Sequence, residues 1–86
     1  MIFIRKINGR KYDARLLQVV EKREIVDLHT AKRLLAVLYD YGSYPDISKD
    51  TIKLIRAQKK WTADADHYFR EQIRRWAANR SMRKQV

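Results

Sequence analysis

Lys49, Lys53, Arg56 and Lys60 recur at intervals of four, three and four. On an α-helix that spacing sets the four side chains along one face, within a band about 60° wide. Ile52 and Ile55 lie to one side of the band, and Leu54 and Trp61 lie nearly opposite. No acidic residue of the same segment falls inside it. Aligned cations repel one another, and a row of phosphates relieves that repulsion. The commoner role of such a row is a solvated helix face, so the stripe has to be weighed against the rest of the chain.

A second pair, Arg70 and Arg74, stands one helical turn apart, opposite Phe69, Ile73 and Trp76, with His67 on the same side. Arginine meets phosphate through a planar, bidentate fork, which suits it to the same chemistry. Glu71 lies three residues before Arg74 and offers it an ordinary intrahelical ion pair instead. Lys59-Lys60-Trp61 sets an aromatic ring beside charge, as in proteins that stack bases on rings, but the preferred reading of Trp61 is packing at the junction between two helices. Arg5, Lys6, Arg10 and Lys11 flank a turn; a basic ribbon enters a groove, and basic residues also guard an edge strand against aggregation. Arg80, Arg83 and Lys84 near the C-terminus fit the preference of helix ends for cations.

The search for catalytic groups returns absences. There is no cysteine, hence no disulfide, thiolate metal site or cysteine nucleophile. His29 and His67 fall on separate segments, and of Asp64, Asp66, His67 and Glu71 only His67 and Glu71 share a helix face, which is too few ligands for a metal. Neither phosphate-cradling glycine loop occurs, and the 40–48 connection lacks the ligand pattern and closing glutamate of a calcium loop. Ile47-Ser48-Lys49-Asp50-Thr51-Ile52 has the cap and Thr-hydrophobic pair that open a helix-turn-helix recognition helix. The full-length helix before it and the long connection through Pro45 do not fit that motif. The pattern therefore implies a non-enzymatic protein with no cofactor.

The elements that must position these residues are readable to different degrees. Ile2-Phe3-Ile4 is β-rich, and Asn8-Gly9 supplies the positive φ angles of a two-residue type I′ turn, which predicts a hairpin with a second arm from Arg10. Across 13–26 two readings compete. Asp13 caps a short helix with Tyr12 stapled on Leu17, or the strand continues and Ile25-Val26 adds a third. The second, a small antiparallel sheet, is preferred. From Asp27 as N-cap, the spacing of Leu28, Ala31, Leu34, Leu35, Leu38 and Tyr39 predicts a core helix over 28–41, closed by Gly42 and Pro45. Ser48 reads as the cap of a helix over 48–60, with Ile47 stapled on Ile52. Thr62 and Asp64 then read as a fresh start, so 48–80 divides in two rather than forming one helix. The last helix spans 63–79 with a buried stripe of Ala65, Phe69, Gln72, Ile73 and Trp76, and 81–86 forms a frayed basic tail.

Eighty-six residues make one domain, 1–86, with a 1–26 hairpin or small sheet and a 27–80 helical part. The expected class is α+β, predominantly helical: a hairpin or small antiparallel sheet followed by three helices. Twenty Lys and Arg against ten Asp and Glu give a net charge of +10. Residues 1–46 hold nine bases and six acids, a net of +3, and residues 47–86 hold eleven and four, a net of +7. That field attracts polyanions. No apolar run is long enough to cross a bilayer, and no secretory leader is visible, so a cytoplasmic protein without membrane insertion is expected. The expected function is that of a nucleic-acid-binding accessory or regulatory protein, for DNA or RNA. Its contacts are Lys49, Lys53, Arg56, Lys60, Arg70 and Arg74. The alternative is an inhibitor or adaptor whose basic face docks on an acidic protein. Nothing in the pattern specifies an oligomeric state.

Overall fold

The computed structural model describes the backbone of residues 2–85 and the side chains of residues 2–78. Its elements are β1 (Ile4–Ile7), β2 (Arg10–Asp13), α1 (Ala14–Val20), β3 (Ile25–Val26), α2 (Leu28–Tyr41), α3 (Asp46–Gln58), β4 (Lys60–Trp61) and α4 (Ala63–Gln85). This is an α+β fold, mainly helical, with an antiparallel β1–β2 hairpin at its N-terminus.

The hairpin forms where the Asn-Gly pair demands it. Asn8 and Gly9 both take positive φ, 51° and 80°, and Ile7 pairs with Arg10 across the turn. A right-twisted ribbon accepts that turn because its own twist matches. The pairing also sets Lys6 directly opposite Lys11, an arrangement that is mildly unfavourable for like charges.

Beyond the hairpin the preferred three-stranded sheet is replaced by the other reading. Asp13 turns the chain into α1, its Oδ1 accepting from the Arg15 and Leu16 backbone N–H groups at 3.0 and 3.3 Å. Local capping wins because it satisfies helix N–H groups that would otherwise be buried without partners. Ile25-Val26 is a strand, but its partner is distant and parallel: Ile25 pairs with Lys60 and Val26 with Trp61. The Lys60 and Thr62 N–H groups donate to the carbonyls of Glu24 and Val26 at 3.3 and 3.1 Å. A two-residue parallel contact leaves no local pattern in a sequence.

The core helix α2 keeps its predicted bounds. Asp27 caps it, accepting from the Thr30 N–H at 2.9 Å, and Gly42 ends it at φ 69° with its N–H on the carbonyls of Leu38 and Tyr39. Helix α3 begins two residues earlier than expected, at Asp46, with Pro45 as its N-cap. Pro45 brings a preset φ near the helical value and lacks the N–H that a helix start leaves unpaired. Ser48 is consequently not a cap; it is buried in the first turn. Lys59 is extended and ends α3, so 48–80 does divide in two. Helix α4 starts at Ala63 as predicted, with the Ala65 N–H on the Thr62 hydroxyl at 3.3 Å, and runs past residue 79 to Gln85. Val86 and the side chains expected in a frayed 81–86 tail lie outside the described residues.

Leu16, Val26, Leu34, Leu38 and Ile55 form the fully buried centre of the core, joined by Leu17, Val20, Ala31, Ile52, Ala65 and Phe69. Of the expected α4 stripe, Ala65 and Phe69 are buried, whereas Gln72, Ile73 and Trp76 are half-buried. Among the described residues, no helix is long and apolar enough to cross a membrane.

Among the described residues, four polar side chains lie inside this core region: Asp13, Thr30, Ser48 and Thr51. Asp13 binds most of the fold. Besides capping α1, its Oδ1 accepts from the Tyr41 hydroxyl at 2.9 Å and its Oδ2 from the Ser48 hydroxyl at 3.0 Å. The Asp13 N–H donates to Thr51 Oγ1 at 2.7 Å, and that hydroxyl donates onward to the Ile47 carbonyl at 2.7 Å. Burial, reinforced by the Asp13 carboxylate, pushes the Tyr41 hydroxyl up to about 12. Asp13→Ala strips both hydroxyls and the α1 cap of their acceptor, so it should destabilise the protein by about 2–4 kcal/mol. Ser48→Ala removes one donor and should cost about 1 kcal/mol. Urea unfolding followed by far-UV circular dichroism measures both, and an Asp13→Ala loss no larger than that of Ser48→Ala would contradict the arrangement.

Candidate functional site

The predicted cations are positioned by α3 and α4. The outer flank of α3 carries Lys49, Lys53 and Arg56, and the facing flank of α4 carries Arg70 and Arg74. Between them runs a groove of about 370 Å³ whose floor is Ile52, Phe69 and Ile73. Tyr44, from the loop before α3, stands at the same groove with the Lys49 ammonium 5.6 Å from its ring centre. Five of the six predicted residues therefore line one groove.

Lys60 does not. It follows the end of α3 and belongs to β4, where it lines a separate hollow with Glu24, Ile25, Gln58 and Lys59. Helical periodicity carried it onto the stripe because nothing local marks the break at Lys59.

The five are not equivalent. Arg56 is the least exposed, at 26%, and pairs with Asp66 of α4, ten residues away in sequence. Its guanidinium lies 4.2 Å from the centre of the Trp61 ring and 5.7 Å from that of Phe69. Trp61 in turn meets Phe69 edge to face at 5.5 Å. Arg56 is thus a fastening between α3 and α4. Arg70, 66% exposed, reaches the same Asp66 oxygen at 3.0 Å. Arg74, 75% exposed, pairs with Glu71, which also meets Arg75 at 3.4 Å. Each of these two carboxylates serves two arginines, so each cluster keeps one surplus positive charge. Lys49 approaches Asp46 at 3.9 Å, and Lys53 makes no ion pair among the described residues.

The stripe is therefore partly neutralised from outside its own helix, by Asp66. The charge is nevertheless extended in another direction. Lys53 also lines a second hollow, of about 230 Å³, with Arg10 and Tyr12 of β2 and Asp50 and Leu54 of α3. The two hollows adjoin at Lys53. A cationic band thus runs from Arg10 on the hairpin, across Lys53 and Lys49, to Arg70 and Arg74. Arg10 was legible only as a basic turn residue, because its approach to α3 depends on β2 being drawn down by Asp13.

The acid pairings have electrostatic consequences. The Arg56 hydrogen bond, helped by Arg70, holds the Asp66 carboxyl below the ordinary carboxylate value, and Arg74 does the same for Glu71. His67 is exposed. Among the described residues, no group of three or more histidines and carboxylates is placed to hold a metal ion. Compared with known protein families, curated proteins and solved structures, the chain matches none.

Because the folded-state value of Asp66 lies below its ordinary 3.8, the stability it contributes is fully present above that pH and is lost as pH falls through the lowered folded value. Asp66→Asn should unfold at lower temperature than the wild type near pH 6, and the gap should close below pH 3.8. Thermal melts of both proteins from pH 6 downward test this; a gap that persists unchanged in acid would show that Asp66 contributes no charge-dependent stability.

Proposed function

We propose that the protein is a non-enzymatic nucleic-acid-binding accessory protein whose phosphate contacts come from Lys49, Lys53, Arg70 and Arg74, extended by Arg10. The observation that carries this reading is the gathering of cations from three elements into one band joined at Lys53. Phosphates spaced along a strand satisfy such a band without requiring a fixed pattern of partner carboxylates. Arg56 has a different role: it holds the two groove walls in place through Asp66 and Trp61. Lys60 is assigned no contact in this band.

The apolar floor of the groove supports a second reading. Ile52, Phe69 and Ile73 beneath a basic rim also suit an acidic amphipathic helix, with its apolar face on the floor and its carboxylates on the lysines and arginines. Such a partner would have to bring both features together.

A binding titration on duplex and single-stranded nucleic acid over a range of salt separates the two. About four to six phosphate contacts predict a log–log slope of roughly −3.5 to −5.5 on duplex DNA. Lys49→Glu/Lys53→Glu should weaken binding by at least about tenfold while leaving the melting temperature nearly unchanged. Arg56→Glu, by contrast, should lower the melting temperature, since it sets an acid against Asp66. No binding at low salt ends the nucleic-acid reading, and saturable binding of an acidic amphipathic peptide would then establish the second.

A further inference from the structure

Another cationic hollow lies between α1 and α2. It measures about 600 Å³ and is lined by Arg15, Gln18, Lys22, Arg23 and Arg33, with Glu21 as its one carboxylate and Val19 and Val37 as apolar wall. Arg15 pairs with Asp40 at 2.9 Å, and Glu21 lies 4.0 Å from Arg5. Lys22, Arg23 and Arg33 are exposed and make no ion pair among the described residues. The hollow shares no residue with the α3–α4 groove or with the hollow beside the hairpin.

Its location follows from the order of the helices. Helix α1 packs on α2 and on α3, and α2 packs on α4. Arg56, Asp66 and Phe69 tie α3 to α4. The α1–α2 pair and the α3–α4 pair thus have no helix in common, and each lines a hollow with exposed cations.

We propose that the α1–α2 hollow, through Lys22, Arg23 and Arg33, binds the phosphate backbone of a second nucleic-acid segment, so that one copy of the protein bridges two. This rests on the nucleic-acid reading of the α3–α4 groove. The two hollows lie on different pairs of helices and share no lining residue, so a segment held in one leaves the cations of the other available.

The test uses two short duplexes of unrelated sequence, one immobilised and one fluorescent, both in excess over the full-length protein. Wild type should carry the fluorescent duplex onto the surface. Lys22→Glu/Arg33→Glu should bind a single duplex with its Kd within about threefold of wild type, yet capture the second at least about tenfold less. Lys22→Gln/Arg33→Gln should shift in the same direction and serves if the glutamate variant is not folded by circular dichroism. Wild-type binding without capture overturns the proposal, as does undiminished capture by folded variants, which would assign bridging to self-association. Absence of any nucleic-acid binding removes both this proposal and the reading beneath it, and so is distinguishable from failure of the second site alone.

Discussion

The constraint on which the other packing depends is the burial of Asp13. A carboxyl group fully enclosed in a chain of 86 residues is tolerable only if its oxygens are occupied. The chain meets that demand from three helices at once. Two backbone N–H groups come from α1, a hydroxyl from the end of α2 and another from the first turn of α3. Because these donors are fixed on separate elements, satisfying them fixes the elements relative to one another. The Asp13 N–H and Thr51 extend the same constraint to the hairpin, drawing β2 against α3. That is what brings Arg10 to Lys53. The position of the cationic band is thus a consequence of a buried acid, although none of its cations touches that acid.

The surface follows a related logic. Ten acidic residues cannot neutralise twenty bases, so where the few acids stand decides which cations are structural and which are available. Asp66 is the clearest instance. By meeting Arg56 under partial burial, beside Trp61 and Phe69, it converts one member of a basic stripe into a clamp. The same oxygen only partly neutralises the more exposed Arg70. Exposed ion pairs of that kind contribute little to stability and are readily exchanged for other partners. Exposure, more than pairing itself, therefore separates Arg56 from Arg70 and Arg74.

Local chemistry made much of this fold legible, and its limits are equally physical. Asn8-Gly9, Asp27, Gly42 and Thr62 each act on their immediate neighbours, and the hairpin turn, both ends of α2 and the start of α4 fall where those residues put them. Asp13 was recognisable as a possible cap, yet its choice between strand and helix depended on Tyr41 and Ser48, 28 and 35 residues away. Ser48 was misread for the same reason: a serine near a helix start has the signature of a cap whether its hydroxyl serves its own helix or another. The β3–β4 contact joins segments 35 residues apart and involves two residues from each. No periodicity can announce so short a pairing.

The candidate site shows where periodicity succeeds and where it stops. It placed Lys49, Lys53 and Arg56 on one flank of α3, and Arg70 and Arg74 on one flank of α4, because side-chain direction within a helix is set by the backbone. It could not show that the two flanks face each other, nor that Asp66 stands between them. Those facts belong to the pairing of helices, which the apolar residues decide. Ile52 and Phe69 are buried at the base of the same groove whose rim is basic. The apolar residues that join α3 to α4 thereby bring two separately modest charge patterns to one place. The concentration of charge at this groove comes from that packing, and a substitution at Ile52 or Phe69 would disperse the charge without removing a single cation.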